Sequence, residues 1–273
     1  MKPFRIIVII LFALTTVASA YLLISEWIKT DRTIPEITVK EDMIEVSLKA
    51  TDEELLNGVT AYDEKDKDLT DKVVVESISR FIEKGVSKVT YFVCDSNNNV
   101  AKATRLIKFS EYESPKFQVE GNLCFSLYER IDISKLIKAT DSLEGDISSY
   151  IVVTSSDYTT SIAGAFSLDV SVVNQKGDTS IIKLPLIIED RPISVPQIEL
   201  KEYLVYTKVG KTVDFKSYIV DALGIDEKTN LKSSVRIESS VDFDKPGTYY
   251  VHYYVTDRMG NRGHSVLTVI VEE

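Results

Sequence analysis

The chain has 273 residues, 44% of them hydrophobic, and a formal net charge of −10 at pH 7. That length holds one large domain or two to three small ones, and the apolar share is enough for folded cores. The acidic balance, with no clustered run of Lys and Arg, argues against nucleic acid as a partner, because that binding rests on neutralising phosphates.

Residues Ile6 to Ile24 carry no charge and are mostly apolar. As a helix the run reaches about 28 Å, close to a bilayer hydrocarbon core of roughly 30 Å. Lys2 and Arg5 precede it, and Glu26 and Trp27 follow, with Trp27 placed as an interfacial anchor. The positive-inside rule then puts the amino terminus in the cytoplasm and everything after Trp27 outside. The pattern predicts a single-pass signal anchor over residues 1–28, with Lys29 to Pro35 as a tether. The competing reading is a cleaved signal peptide: Ala18-Ser19-Ala20 fits the small-residue cleavage pattern, and cleavage after Ala20 yields a secreted protein. Against cleavage, Tyr21 to Ile24 extend the apolar run to spanning size. In both readings the remainder is exported.

Beyond the anchor one module recurs three times. Each copy opens with a proline leading into a short apolar strand, at Pro35, Pro115 and Pro196. A glycine, Gly85, Gly164 or Gly247, opens a strand whose inward positions alternate: Val89-Tyr91-Val93, Leu168-Val170-Val172 and Val251-Tyr253-Val255. Turn-opening residues follow at Asp95, Asn174 and Asp257, then a turn at Asn98-Asn99, Gly177-Asp178 and Gly260-Asn261. Agreement of these landmarks at one period of about 80 residues predicts modules over 34–110, 114–190 and 195–273. Short strands at this spacing suit an all-β fold of three tandem small sandwiches. Proline-bearing linkers, Ser110 to Pro115 and Glu189 to Pro196, predict modules set end to end in a semi-rigid rod.

A second motif sits mid-module. Ala61-Tyr-Asp63-Glu-Lys-Asp66-Lys-Asp68-Leu-Thr70 is matched by Ala139-Thr-Asp141-Ser-Leu-Glu144-Gly-Asp146-Ile-Ser148. The third copy, Asp221 to Leu231, has lost the spacing and the final Asp. Together with Gly247-Thr-Tyr249, Val251, Tyr253, Val255, Asp257 and Gly260-Asn261, these residues resemble the tandem bacterial immunoglobulin-like repeats of surface proteins, the type also appended to some pesticidal crystal proteins. The second copy lacks the aromatic of the hairpin, and the first has Asn98 where the turn glycine belongs. The resemblance implies immunoglobulin-like sandwiches displayed on a bacterial surface, with no catalytic residues to carry over.

The acids of the motif are candidates for calcium. Asp63, Asp66 and Asp68, and again Asp141, Glu144 and Asp146, offer hard oxygens within six residues. The simpler reading is an Asx-rich turn, since neither cluster has the glycine and distal Glu of a dedicated loop, and Lys65 and Lys67 oppose a cation. No cofactor is expected. Only His252 and His264 are available as histidines, both in strands of the third copy; no metal-ligand spacing or nucleophile motif surrounds them, so they read as strand residues on a solvated face, and the chain as a non-enzyme. Cys94 and Cys124 fall in different modules and read as unpaired thiols.

One row of side chains remains. If Val251, Tyr253 and Val255 point inward, then Tyr250, His252 and Tyr254 line the opposite face, where the other copies have Lys88, Thr90 and Phe92 or Ser167, Asp169 and Ser171. That row is either a face for protein or sugar, or a ladder packed along its own sheet. The function expected is a membrane-anchored extracytoplasmic rod for adhesion, scaffolding or protein interaction; the alternative is a carbohydrate- or wall-binding accessory protein.

Overall fold

The computed structural model describes residues 2–29 and 32–273; the side chains of residues 2, 3, 5 and 26–29 lie outside that description. The flanking roles expected of Lys2, Arg5, Glu26 and Trp27 therefore fall outside it, as does the middle of the Lys29 to Pro35 tether. A helix runs over Lys2–Lys29. Its window Ile6–Ser25 is long and apolar enough to cross a membrane, and none of that window is buried against the rest of the protein. Its two threonine hydroxyls are satisfied locally. Thr15 and Thr16 donate their hydroxyls to Phe12 and Ala13 carbonyls 2.8–3.0 Å away in the preceding turn.

The chain divides into two compact units, Met1–Glu111 and Tyr112–Glu273. In the first, Glu36–Val39, Val59–Asp63 and Lys67–Asp68 form one antiparallel sheet. Met43–Val46, Val100–Phe109, Val86–Cys94 and Val74–Glu83 form the other, with Met43–Val46 parallel to Val100–Phe109. Strand alternation builds the core between them: Val59 and Ala61 point in while Thr60 and Tyr62 point out, and Val89, Tyr91 and Val93 are fully enclosed. A short helix, Asp52–Leu56, is started by a capping box between Thr51 and Glu54.

The second unit holds two sandwiches of the same plan. In one, Gly145–Asp146, Ile137–Asp141 and Lys116–Val119 face Val152–Ser156, Gly164–Val173, Thr179–Glu189 and Cys124–Ser126. In the other, Gln197–Leu200 and Ile219–Leu223 face Leu204–Lys208, Arg262–Glu272, Gly247–Thr256 and Arg236–Ser239. The fold is thus all-β, three immunoglobulin-like sandwiches following an N-terminal apolar helix. Each sandwich repeats the same signature, its second strand parallel to its last. The hairpin turns repeat as well. Gly177 and Gly260 take φ of 88° and 89°, and Asn98, in the same place, takes φ of 65°. Asn tolerates that left-handed region better than other side chains, so the missing glycine leaves the turn intact.

The second and third sandwiches do not meet end to end. Leu204 and Val266, on the outward face of the last four-stranded sheet, share one buried cluster with Phe117, Leu123 and Leu184 of the preceding sandwich, and Tyr206, Tyr250 and Ile270 pack against it. Burying each such aliphatic side chain is worth roughly 1.5–3 kcal/mol, which outweighs the extended preference of a proline linker. Polar contacts fix the register. The Phe117 N–H donates to the Tyr206 hydroxyl at 3.0 Å, and the Asn122 amide donates to the His264 carbonyl at 2.7 Å. Gly263 is required by close approach: a Cβ there would lie 2.2 Å from the Pro196 carbonyl oxygen.

Candidate functional site

The row Tyr250, His252 and Tyr254 is outward on its strand, as the alternation requires, since Val251, Tyr253 and Val255 are at most 2% exposed. It is not an open face. Tyr250 packs on the neighbouring sandwich and donates to the Lys183 carbonyl at 3.4 Å. Nor are the histidines on a solvated face. His264 stands opposite Tyr254 across the hairpin, is 6% exposed, and its Nδ1 lies 2.8 Å from Glu189 Oε1. Its Nε2 lies 3.0 Å from His252 Nδ1, so the three groups form a line from carboxylate to ring to ring. Tyr254 stacks on His264 with centroids 4.3 Å apart, and Arg236 and Arg262 approach the Tyr254 ring at 5.3 and 5.8 Å. Arg191 Nε sits 3.1 Å from Glu189 Oε2, while its guanidinium also donates to the Cys124 carbonyl at 3.2 Å. The open member is Tyr254, whose edge borders a small cavity of about 150 Å³ with Asp190, Arg191 and Arg262.

Burial and the adjacent His264 push the His252 imidazolium down, with Glu238 and Glu189 opposing. At Glu189, burial works to raise the carboxyl. The His264 hydrogen bond and the charges of His264, Arg191 and Arg262 outweigh it and hold the group below its ordinary value. The Cys124 thiol is pushed well up, chiefly by burial, and so stays protonated and unreactive. Cys94 and Cys124 are both free thiols.

The mid-module acids bind their own backbone. Asp63 Oδ1 accepts the Lys65 and Asp66 N–H groups, and Asp141 Oδ1 accepts those of Leu143 and Glu144. Asp66 and Glu144 reach across to the hairpin turn, accepting the N–H of Ser96 at 2.6 Å and of Gln175 at 2.5 Å. Asp68 and Asp146 turn away from their clusters to accept from Thr70 and Ser148. Asn230 does the same for the Lys232 N–H, so the third copy keeps the turn with an amide in place of the acid. What converges in the first sandwich is Asp63, Asp66 and Asp95, with one oxygen of each within 4.8 Å of the others. The hairpin acid Asp95 was missed because it lies 32 residues from Asp63 in sequence, although the turn alignment with Asn174 already marked it. In the second sandwich Asn174 occupies that place and donates to Asp141 Oδ2 at 3.0 Å. Each turn also keeps one acid and one amide: Asp95 with Asn99, Asn174 with Asp178, Asp257 with Asn261.

Two larger polar clefts lie elsewhere. One of about 880 Å³ lies between the second and third sandwiches, lined by Lys116, Gln118, Glu120, Lys201, Glu202 and Tyr206 among others. The other, about 500 Å³, lies in the first sandwich over Lys40, Glu54 and Arg105. Arg105 is 2% exposed. Its guanidinium donates to the Tyr91 hydroxyl and to the Leu55 and Asn57 carbonyls.

Residues 207–271, most of the third sandwich, match the family model described as "Bacterial surface protein, Ig-like domain". The chain is 32% identical over 223 residues to a pesticidal crystal protein, Cry22Aa of Bacillus thuringiensis, covering 78% of this chain and 30% of that protein. It is 30% identical over 139 residues to an uncharacterized 81.3 kDa protein of Acholeplasma phage L2, covering 50% of this chain and 18% of that one. The chain thus spans less than a third of the length of either relative. Among solved structures, the M60 catalytic domain with two CBM51 domains of Clostridium perfringens ZmpB aligns over 88% of this chain and 31% of that one, at 16% identity and a TM-score of 0.24. A likeness of that size carries no functional argument.

Proposed function

We propose that this chain is a non-catalytic, membrane-anchored extracytoplasmic protein whose immunoglobulin-like sandwiches serve adhesion, scaffolding or protein interaction at a bacterial cell surface. The observation that carries the reading is the match of residues 207–271 to the bacterial surface immunoglobulin-like family, on a chain opening with an apolar helix of spanning length. The histidines, the residues best suited to acid–base work, are occupied by each other and by Glu189, which supports a structural role for them. The test is to express the full chain in a bacterial host, separate membrane from medium, and treat intact cells with protease. Anchored protein stays with the membrane and is cut back externally toward Lys29. A soluble product beginning at Tyr21 would replace anchoring with secretion, and binding to neither cells nor wall material would remove adhesion.

A second reading, binding of wall glycan, is favoured by the polar cleft of about 880 Å³, whose Lys201, Glu202, Gln118 and Tyr206 offer donors and acceptors suited to sugar hydroxyls. Retention of the detergent-solubilised chain on purified wall glycan, lost in Lys201→Ala with Glu202→Ala, would move the function to that cleft.

A further inference from the structure

We infer that Glu189, His264 and His252 form an acid-released latch that holds the third sandwich on the second. The latch spans the boundary. Glu189 ends the Thr179–Glu189 strand of the second sandwich, and the histidines lie on the paired Gly247–Thr256 and Arg262–Glu272 strands of the third. Glu189 is the acceptor for His264 Nδ1–H, which leaves His264 Nε2 facing His252 Nδ1 at 3.0 Å. Between those two nitrogens there is room for one proton. With both rings neutral, His252 donates to the lone pair of His264. With one added proton, either ring is the imidazolium and the hydrogen bond remains. A second added proton puts N–H against N–H and two positive charges in contact, and the line breaks.

The surroundings make that second proton costly. From the second sandwich, Glu189, Asp190 and Arg191 lie on the strand end and linker, and the Cys124 thiol lies on the neighbouring strand. From the third, Tyr254, Arg262, Arg236 and Glu238 lie in the same sheet. Of these, Glu189 bonds His264 and Glu238 stands opposite His252 on the next strand, but Arg191 and Arg262 share the neighbourhood of Glu189, and Arg236 ion-pairs with Glu238. Burial adds to the effect, depressing the His252 imidazolium. A base with a depressed folded value takes up its proton later in the folded chain than in the unfolded one. Its contribution to stability is therefore complete above the ordinary histidine value of about 6.5 and is lost as pH falls below it. Glu189, itself held low, acts in the same direction at more acid pH. Acidification thus weakens the boundary that covers Leu204, Val266 and Ile270, the apolar face of the third sandwich.

The chain has only two histidines, so histidine-labelled full-length protein in detergent micelles gives one resonance set per ring. Titration from pH 8 to 4.5 should show coupled rings, one of them protonating at least tenfold less readily than free histidine. The thermal transition of the same protein should fall between pH 7.5 and 5, and His252→Phe, which keeps an aromatic ring beside Tyr254, should at least halve that fall. Two rings titrating independently near the ordinary value would overturn the latch. So would a pH dependence unchanged in the variant. Should the variant fail to fold, the wild-type titration alone decides.

Discussion

At the scale of single residues, the most informative side chain is Arg105. It pairs with Val89 across the hairpin, in the place where Leu184 pairs with Leu168 and Leu267 with Val251. Two of the three sandwiches thus fill this core position with leucine, and the first fills it with a cation. The charge is held by oxygens rather than by an acid: the Tyr91 hydroxyl at 3.0 Å, the Asn57 carbonyl at 2.9 Å and the Leu55 carbonyl, with the guanidinium 5.4 Å from the Tyr91 ring centre. Those carbonyls close the short helix Asp52–Leu56, so Arg105 both fills the core and caps that helix end. Arg105→Ala should cost about 3 kcal/mol, combining a cavity with an unpaired Asn57 carbonyl, since the Leu55 carbonyl keeps the Tyr91 hydroxyl as donor. Arg105→Leu should cost less, about 1–2 kcal/mol, because leucine packs there in the other two copies and the Asn57 carbonyl alone loses its donor. Denaturant unfolding of the full chain measures both. Equal losses would mean that the oxygens, not the packing, set the need for arginine.

At the scale of elements, the mid-module loop and hairpin turn of the first two sandwiches are clasped to one another by direct hydrogen bonds. Asp66 accepts from the Ser96 N–H and hydroxyl with its two oxygens, and these bonds hold its carboxyl below the ordinary value. Asp63 Oδ1 already has two amide donors. Calcium would have to displace such bonds to gain six or more oxygens. Millimolar calcium or a chelator should accordingly leave the melting temperature within about a degree, the outcome for a fold with no linked calcium binding. A rise of several degrees that Asp66→Ala abolishes would make Asp63, Asp66 and Asp95 a binding site instead. Much at this scale was legible beforehand. Period-2 alternation gave the inward faces of all three hairpins, and the Asx residues marked their turns. What covers an outward face was not legible. His264 meets Glu189 from 75 positions away, and Phe117 meets Tyr206 from 89, and no local pattern records such pairs. The third acid of the first cluster was hidden for the same reason, arriving on a different strand.

For the molecule as a whole, the apolar N-terminal helix and the sandwich count could be read from hydropathy and repeat period, whereas the joining of the last two sandwiches into one unit could not. Their linker looked stiff and extended, but the outward residues Leu204, Val266 and Ile270 decided the matter through burial. The shared parallel pairing of second and last strands has a mechanical meaning for a chain pulled along its length. In the last sandwich, Leu204 to Lys208 run beside Thr268 to Glu272 in the same direction. Tension passed through Gln197–Leu200 into the start of Leu204–Lys208 and leaving at the end of Arg262–Glu272 slides that parallel pair past each other, loading the rungs between them together rather than opening them in turn. Pulling the sandwich by its ends should therefore meet a single high rupture force. Placing proline at Val205 or Tyr206, whichever donates its N–H to the last strand, should lower that force severalfold while the core remains folded at rest, since the missing rung bears load only under tension. A sandwich built this way resists tension applied along the chain.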